Sequence, residues 1–510
     1  MKSAKFRLYL YLLAIASGFY SISANAQLDS FVNDADNGAS DLQRATGNAI
    51  QRTCGALAAE GGFQLTGEQG DLFERCNEMV STAAELQGDT GRTRSLMLSG
   101  PELLAAIQNV SGEELHAQNT LSTRVTNGQF SNIAGRLNAV RIGGSSAALG
   151  GRVAATGTHD DPSRNAPGYR DLSLGSRVMT GGAAAGDDDM AGSRWGWFLE
   201  GSFNTGDRDQ TASEDGFDFD ATSFTLGIDY LLDSGVIGAS IGIDNYEADF
   251  NPTTLVSGGN VEVEGTTGAI FGAFFRDSWY VDGILSFGSL DSDTNRDAFY
   301  ISNNPACLPA PCPGVNTTLS GETDGDFVAG GLSVGYDYTN GNWDITPQLR
   351  LAYRDVSLDG YVESDSLGGG LSLAYDEQQI DSLKSILGVA FTGNFSRDFG
   401  ILSPQFRLEW HHEFEDDPAR LLAKYAVENQ LAAQGVQGAA GAGVFSVNPA
   451  NCISCFQITG DEIDTDFGVI SAGVSAVFSQ RIQLYGVVDS LVGLDHLSST
   501  GISVGIRGQF

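Results

Sequence analysis

LSPQFRLEWHHEF, residues 402–414, alternates in character along most of its length. Leu402, Phe406, Leu408 and Trp410 fall on one parity, and Arg407, Glu409, His411 and Glu413 on the other. Successive side chains of a strand point to opposite faces, so this stretch is a strand with one apolar and one charged face. The period recurs in WDITPQLRLAY (343–353), where Arg350 joins the polar face, and in SLKSILGVAFTGNFS (382–396), where Lys384 does. Twelve alternating stretches begin near residues 195, 218, 235, 260, 279, 325, 343, 380, 401, 465, 481 and 499. A soluble antiparallel sandwich would bury the apolar face in a core. A transmembrane barrel would turn it to lipid and line its lumen with the polar face.

Three features favour the barrel. The polar parity carries full charges beside many glycines, as a narrow wet lumen requires. Trp195, Trp197, Trp279, Trp343 and Trp410 sit at strand ends, where interfacial aromatics belong. The links also alternate in length: LLDSG, RDSW, TNGNW, SRDFG and SQR are tight. The stretches at 291–326 and 415–466 instead read as long, acidic loops on the other side. Residues 195–510 are therefore expected to form a 12-stranded antiparallel transmembrane β-barrel in a mainly β protein. The last strand, GISVGIRGQF (501–510), is expected to close the ring against the first, which removes every exposed edge.

Upstream the period changes. Lys2, Lys5 and Arg7, a short apolar run and Ala24-Asn25-Ala26 read as a secretory signal peptide over residues 1–26. Residues 27–114 read as a small helical module, with capping patterns at Thr66/Gln69 and Ser111/Glu114 and a first-turn proline at Pro101. Its apolar stripes are thin. Ile133, Leu137 and Val140 mark a further helix, and the Gly-, Ala- and Asp-rich residues 142–194 read as linker. Asp187, Asp188 and Asp189 lack the spacing of a calcium loop and read as solvated. The formal net charge of −36 excludes a nucleic-acid binder, which needs basic surface. The six cysteines fall into close pairs, Cys54 with Cys76, Cys307 with Cys312 and Cys452 with Cys455, read as local disulfides of an exported protein.

Candidate chemistry is sparse. G-x-S-x-G occurs around Ser240, Ser333 and Ser503, but each lies inside an alternating strand instead of the strand-to-helix elbow of a hydrolase. Glu409, His411 and Glu413 share a face and could form an acid–base or metal cluster; lumen lining balanced by Arg407 and Arg350 is the plainer reading. Cys452-Ile-Ser-Cys455 lies outside any thioredoxin-like pattern, and with CLPAPC reads as a stapled loop. No catalytic residue, metal or cofactor is expected.

The run WGWFLEGSFNTGDRDQTASEDGFDFDATSFTLGIDYLLDSGVIGASIGI (195–243) resembles the opening of the β-domain of bacterial autotransporters. SNIAGRLNAVR (131–141) resembles the helix that family threads through its pore, here placed at residues 115–141. The resemblance implies a monomer in the bacterial outer membrane, surrounded by lipid and lipopolysaccharide. It also implies periplasmic chaperones, and a barrel-assembly machinery that reads Phe510 as a sorting signal. The N-terminal segment would be moved to the cell surface, and Ser131, Asn132, Arg136, Leu137 and Arg141 would occupy the lumen beside the charges named above. Some members cut this helix when an Asn side chain attacks its own backbone beside a second Asn. Asn132 matches the second position, but Ser131 stands at the first and cannot form the cyclic imide, so an intact chain is expected. A short helical passenger departs from the long β-helical ones of the family. It leaves open a displayed segment, or an adhesive or structural barrel with a periplasmic module and an unknown surface ligand.

Overall fold

The computed structural model describes residues 27–154, 194–211, 213–252, 258–306, 314–478 and 482–509. The expected signal peptide, residues 187–189, Cys307, Cys312 and Phe510 lie outside them.

Twelve strands close into a ring. They are β1 (Trp195–Arg208), β2 (Phe217–Leu232), β3 (Gly235–Phe250) and β4 (Gly259–Arg276). Next come β5 (Trp279–Tyr300), β6 (Val315–Tyr336), β7 (Trp343–Leu358) and β8 (Gln378–Gly393). The last are β9 (Gly400–Glu413), β10 (Asp466–Phe478), β11 (Ile482–Val492) and β12 (Leu497–Gln509). Each pairs antiparallel with the next, and β12 returns to β1 with Ser503 opposite Ser202. The apolar parity faces outward, where Ile241 is 65% exposed and Leu332 60%. Large aliphatic side chains that bare on neighbouring strands are a lipid-facing belt, since a soluble sandwich would bury them. Trp195, Trp279 and Trp343 stand at the tight-turn end of that belt and Trp410 at the other.

One expectation needs correction. Much of residues 291–326 is strand instead of loop: β5 runs to Tyr300 and β6 starts at Val315, ten residues before the expected 325. Alternation continues there, but its outward positions are Asp291, Asp293, Asn295 and Asp297, so hydropathy hides the strand. The outward face above the belt is an acid ladder. Asp220 lies opposite Glu247, Glu247 opposite Glu262, Glu262 opposite Asp293, and Asp293 opposite Glu322. No ion pair among the described residues engages these five, and like charges directly opposite repel. Below them, on the same face, come Phe224, Ile243, Phe287 and Val328.

The helices are α1 (Leu28–Val32), α2 (Asp41–Glu60), α3 (Gly67–Leu86), α4 (Gly100–Gln108) and α5 (Leu115–Ala154). Capping boxes occur at Ser40/Gln43 and Ser99/Glu102, and Pro101 sits in the first turn of α4. The two expected boxes are not formed. Thr66 precedes α3 without a side-chain cap, and the Ser111 hydroxyl donates back to the carbonyl of Gln108. Cys54 and Cys76 join α2 to α3 as a disulfide. The lumen helix continues past the expected 141 to Ala154, so the first part of the proposed linker is helical. Gly and Ala in that stretch carry little apolar signal, but alanine favours helix.

The thin stripes of α1–α4 are explained by their partner. Three short strands beyond the ring, Leu373–Tyr375, Arg420–Tyr425 and Phe456–Thr459, form a separate small sheet. Leu28, Leu57, Leu72, Phe73 and Ile107 share one continuous core with Tyr300, Leu319, Tyr375, Leu421, Tyr425 and Phe456. Neither half could bury enough apolar surface alone, and together they make a cap over the long-loop end of the ring.

Candidate functional site

The site has two parts, the helix inside the ring and the cap above it. Helix α5 lies against β1–β5. Leu121 and Val125 pack with Phe219, Tyr246 and Val263, and two turns on, Ile133 and Leu137 pack with Phe198, Phe271 and Ile284. Close approach depends on two glycines seven residues apart on one face. A Cβ at Gly128 would sit 2.6 Å from the Ser223 hydroxyl, and one at Gly135 3.2 Å from a Glu200 oxygen.

Polar contacts fix the register. Gln129 Nε2 donates to Asp244 at 3.1 Å, and its Oε1 accepts from Thr225 Oγ1 at 2.7 Å. Asn132 Nδ2 donates to the same Thr225 oxygen at 2.8 Å. Arg136 and Asp229 form an ion pair with both side chains fully buried, Nε to Oδ2 being 3.0 Å, and the guanidinium lies 5.5 Å from the centre of the Phe198 ring. Ser131 is exposed to the lumen cavity. Arg141 lies in the helix.

The charges expected to surround the helix divide. Arg350 approaches it, its guanidinium 5.9 Å from the centre of the Phe130 ring and its Nε donating to Ser333 at 3.1 Å. Arg407, Glu409 and His411 instead form a network on the far wall, and Glu413 belongs to a separate set there. Glu409 accepts from Gln348 at 2.8 Å, with Arg407 and His411 each 3.5 Å away. Glu413 accepts from Ser382 at 2.6 Å and faces Lys384 at 3.5 Å. Ser240, Ser333 and Ser503 lie within β3, β6 and β12 on the lumen parity. Sequence reading missed Gln129 on the helix, and the wall partners Thr225, Asp229 and Asp244, together with Arg354, which donates to the carbonyl of Thr123 at 2.6 Å. Lumen parity within β2 and β3 was the available signal for Asp229 and Asp244.

The cap is tied down by buried polar groups. Arg52 of α2 donates to the carbonyls of Ile453 and Cys455, at 2.8 and 2.9 Å, on the turn closed by the Cys452–Cys455 disulfide. Glu428 holds that turn from beneath through the backbone amides of Ile453 and Ser454. Glu78 of α3 is fully buried and accepts from Arg94 at 2.8 Å and from the Tyr300 hydroxyl on β5 at 3.2 Å. Burial pushes its carboxyl from 4.5 up to about 6, against the pull of Arg75 and Arg94. Between α4 and α5, burial and then the charges of Asp215 and Glu114 push Glu113 well above its ordinary range, and burial with the charge of Glu114 pushes Asp215, in the link between β1 and β2, up to about 8.

A carboxyl whose pKa rises on folding favours the folded state below its unfolded value, and loses that contribution as pH climbs through the folded one. The docked cap is therefore expected to be firmer at pH 5 than at pH 8, Glu78 alone accounting for about 1 kcal/mol. Proteolysis at the exposed turn 88–91, followed against urea at the two pH values, checks this; stronger protection at the higher pH would contradict it.

The family model described as the autotransporter beta-domain matches residues 197–489. Among solved structures, the translocator domain of NalP from Neisseria meningitidis is 12% identical, with a TM-score of 0.44, over 62% of this chain and 88% of that one. The β-domain of the Bordetella autotransporter BrkA is 18% identical, with a TM-score of 0.40, over 62% and 100%. The transport unit of AIDA-I from Escherichia coli is 13% identical, with a TM-score of 0.37, over 64% and 93%. No curated protein matches.

Proposed function

The chain belongs to the autotransporter β-domain family, whose barrels reside in the bacterial outer membrane, and from that premise we propose that it displays its N-terminal helices as a permanent outer cap. The observation that carries this reading is the single apolar core shared by α1–α4 and the loop segments around Tyr300, Tyr375, Leu421 and Phe456. A segment to be released would bury its own surface. These helices complete their core only against the barrel that carried them, so release would expose apolar surface on both sides. The lumen helix then serves as the tether, anchored by Arg136 and Asp229. Ser131, which cannot form the cyclic imide, stands where the attacking Asn would, so the chain is read as staying intact. The reading requires no covalent step. It implies assembly with periplasmic chaperones and the barrel-assembly machinery, and lipopolysaccharide around the ring.

The test is an epitope with a protease site inserted at the turn 88–91, on intact cells. Loss of the epitope to added protease, with the rest of the chain retained in the outer membrane, is the expected result. Loss only after the outer membrane is permeabilised would place the helices in the periplasm and end this reading.

A further inference from the structure

The cations of the lumen are unevenly matched by acids. Lower on the far wall, Arg407 lies 3.5 Å from Glu409 and in the field of Asp489. Near the long-loop end, Arg208 is held between Glu214 and Asp461, at 2.9 and 2.8 Å. Between these levels Arg124 of α5, Arg354 of β7 and Lys384 of β8 line one cavity of about 580 Å³, on the side of the helix turned away from β1–β5. Glu413 is the carboxylate that faces them. It lies 3.5 Å from Lys384 and accepts from Ser382, whose oxygen accepts from Arg354 Nη2 at 3.2 Å. Arg354 Nη1 reaches the carbonyl of Thr123, the helix residue beside Arg124. Arg124 has no ion pair among the described residues: its guanidinium lies 4.4 Å from the centre of the Phe219 ring, and Nη1 donates to Ser499 at 3.4 Å. The three cations are near enough to repel one another. We propose that they form a binding site for a doubly charged oxyanion of the phosphate or phosphomonoester class, which clamps the lumen helix to the wall of β7 and β8.

The charge fits a dianion. Three cations and one carboxylate leave two positive charges in a place poor in water, Arg354 being 7% exposed, and a withdrawn charge without a counter-charge is costly. The chemistry fits an oxyanion. A guanidinium is a planar fork that meets a tetrahedral oxyanion through paired bonds, and lysine adds a point charge. With one face of Arg124 on Phe219, the N–H groups along its edge remain available, and Ser499 takes a single bond from them. Chloride would answer half of the charge and use none of the fork. The cavity is larger than phosphate alone requires, so bridging water or the organic part of a phosphomonoester has room beside it. Glu415, Glu462 and Asp464 line the same cavity further out. Glu415 and Glu462 are exposed, so water and salt screen them, and their effect is to slow the entry of an anion without filling the site. Because Arg124 belongs to the helix while Arg354 and Lys384 belong to the wall, one bound anion would turn mutual repulsion into a bridge.

The experiment uses the full chain, refolded in an uncharged detergent without lipopolysaccharide, folding being checked by heat-modifiable gel mobility. The probe is inorganic phosphate at a pH where it carries two charges, against chloride at equal ionic strength. Phosphate is expected to raise the temperature at which folded mobility is lost, and to do so saturably, as a ligand of the folded state must. Chloride should not. Arg124→Gln and Lys384→Gln should each weaken the apparent affinity about tenfold, the usual loss of a charge-assisted bond. Arg397→Gln, at the tight-turn end of the ring, should bind as the parent does. Amide exchange over residues 118–125 should slow severalfold in saturating phosphate. If neither variant folds, the phosphorus resonance of phosphate decides: the parent should broaden it, and sulfate, a second tetrahedral dianion, should restore it where chloride does not. Phosphate and chloride acting alike, affinity kept in both glutamine variants, or a resonance that the folded chain leaves sharp overturns the site. Binding with no change in the exchange of the helix overturns the clamp.

Discussion

Replacing Arg136 with alanine is expected to lower the stability of the barrel by about 3–5 kcal/mol, the usual loss when one member of a buried ion pair is removed. Both side chains are wholly buried, and Asp229 Oδ1 has no hydrogen-bond partner among the described atoms even with the arginine in place. Without Arg136 the carboxylate stays in the lumen, stripped of water and of its counter-charge. The control that separates charge from lost packing is Arg136→Ala with Asp229→Asn, which deletes the stranded charge and should recover a large part of the loss. Urea unfolding followed by heat-modifiable mobility reads both variants. A single variant within 1 kcal/mol of the parent, where exposed pairs fall, would show that the helix is held by its apolar face alone.

The second large effect is expected outside the lipid. Arg296 meets Glu363 through two bonds, 2.7 and 2.8 Å, with both residues buried. Glu363 also accepts from the Leu373 backbone amide and the Tyr375 hydroxyl, each at 2.9 Å. This one carboxylate therefore joins the tall β5 to the segment that starts the small outer sheet. Arg296→Met should weaken the cap by about 3 kcal/mol, because a buried carboxylate loses its cation but keeps two donors. The loss should be local. Cleavage at 88–91, and at Leu367, which is 77% exposed, should rise steeply while the temperature at which the ring loses its folded mobility stays put. A ring destabilised in parallel would mean that cap and barrel unfold as one unit.

The ring was legible because its signal is local: period two repeated along the chain, with charges on one parity, needs no partner to be recognised. The signal failed at residues 291–300 and 315–324 for a physical reason. Above the lipid the outward face is acidic or polar while the inward face mixes Ser, Thr and Arg with apolar residues such as Tyr300 and Leu319, so the hydrophobic contrast that reveals the strand weakens. Ile133, Leu137 and Arg136 were legible as a helix that fits a lumen, yet Asp229, 93 residues away, was not legible as the partner of Arg136. Parity places Asp229 inside the ring but leaves the height and rotation of the helix undetermined, and these are set by the glycine contacts and the Gln129 and Asn132 bonds. The cap was the least legible part. Its stripes are weak by themselves because 15 of the 37 core residues come from 298–458.

The outward rows of carboxylate also fix how the molecule sits among its neighbours. Pressing the barrel further into the membrane would carry Glu264, Asp291 and Asp324, which lie opposite one another on β4, β5 and β6, from water into hydrocarbon. Charged side chains on a lipid face are penalised more steeply the deeper they go. Drawing it outward would strand Phe287 and Val328 in water. The boundary between the two rows is a depth gauge read to within one pair of residues. Sideways the same rows act as fenders: two copies whose rims approach within a Debye length, ~8 Å at physiological salt, repel at the height of the headgroups.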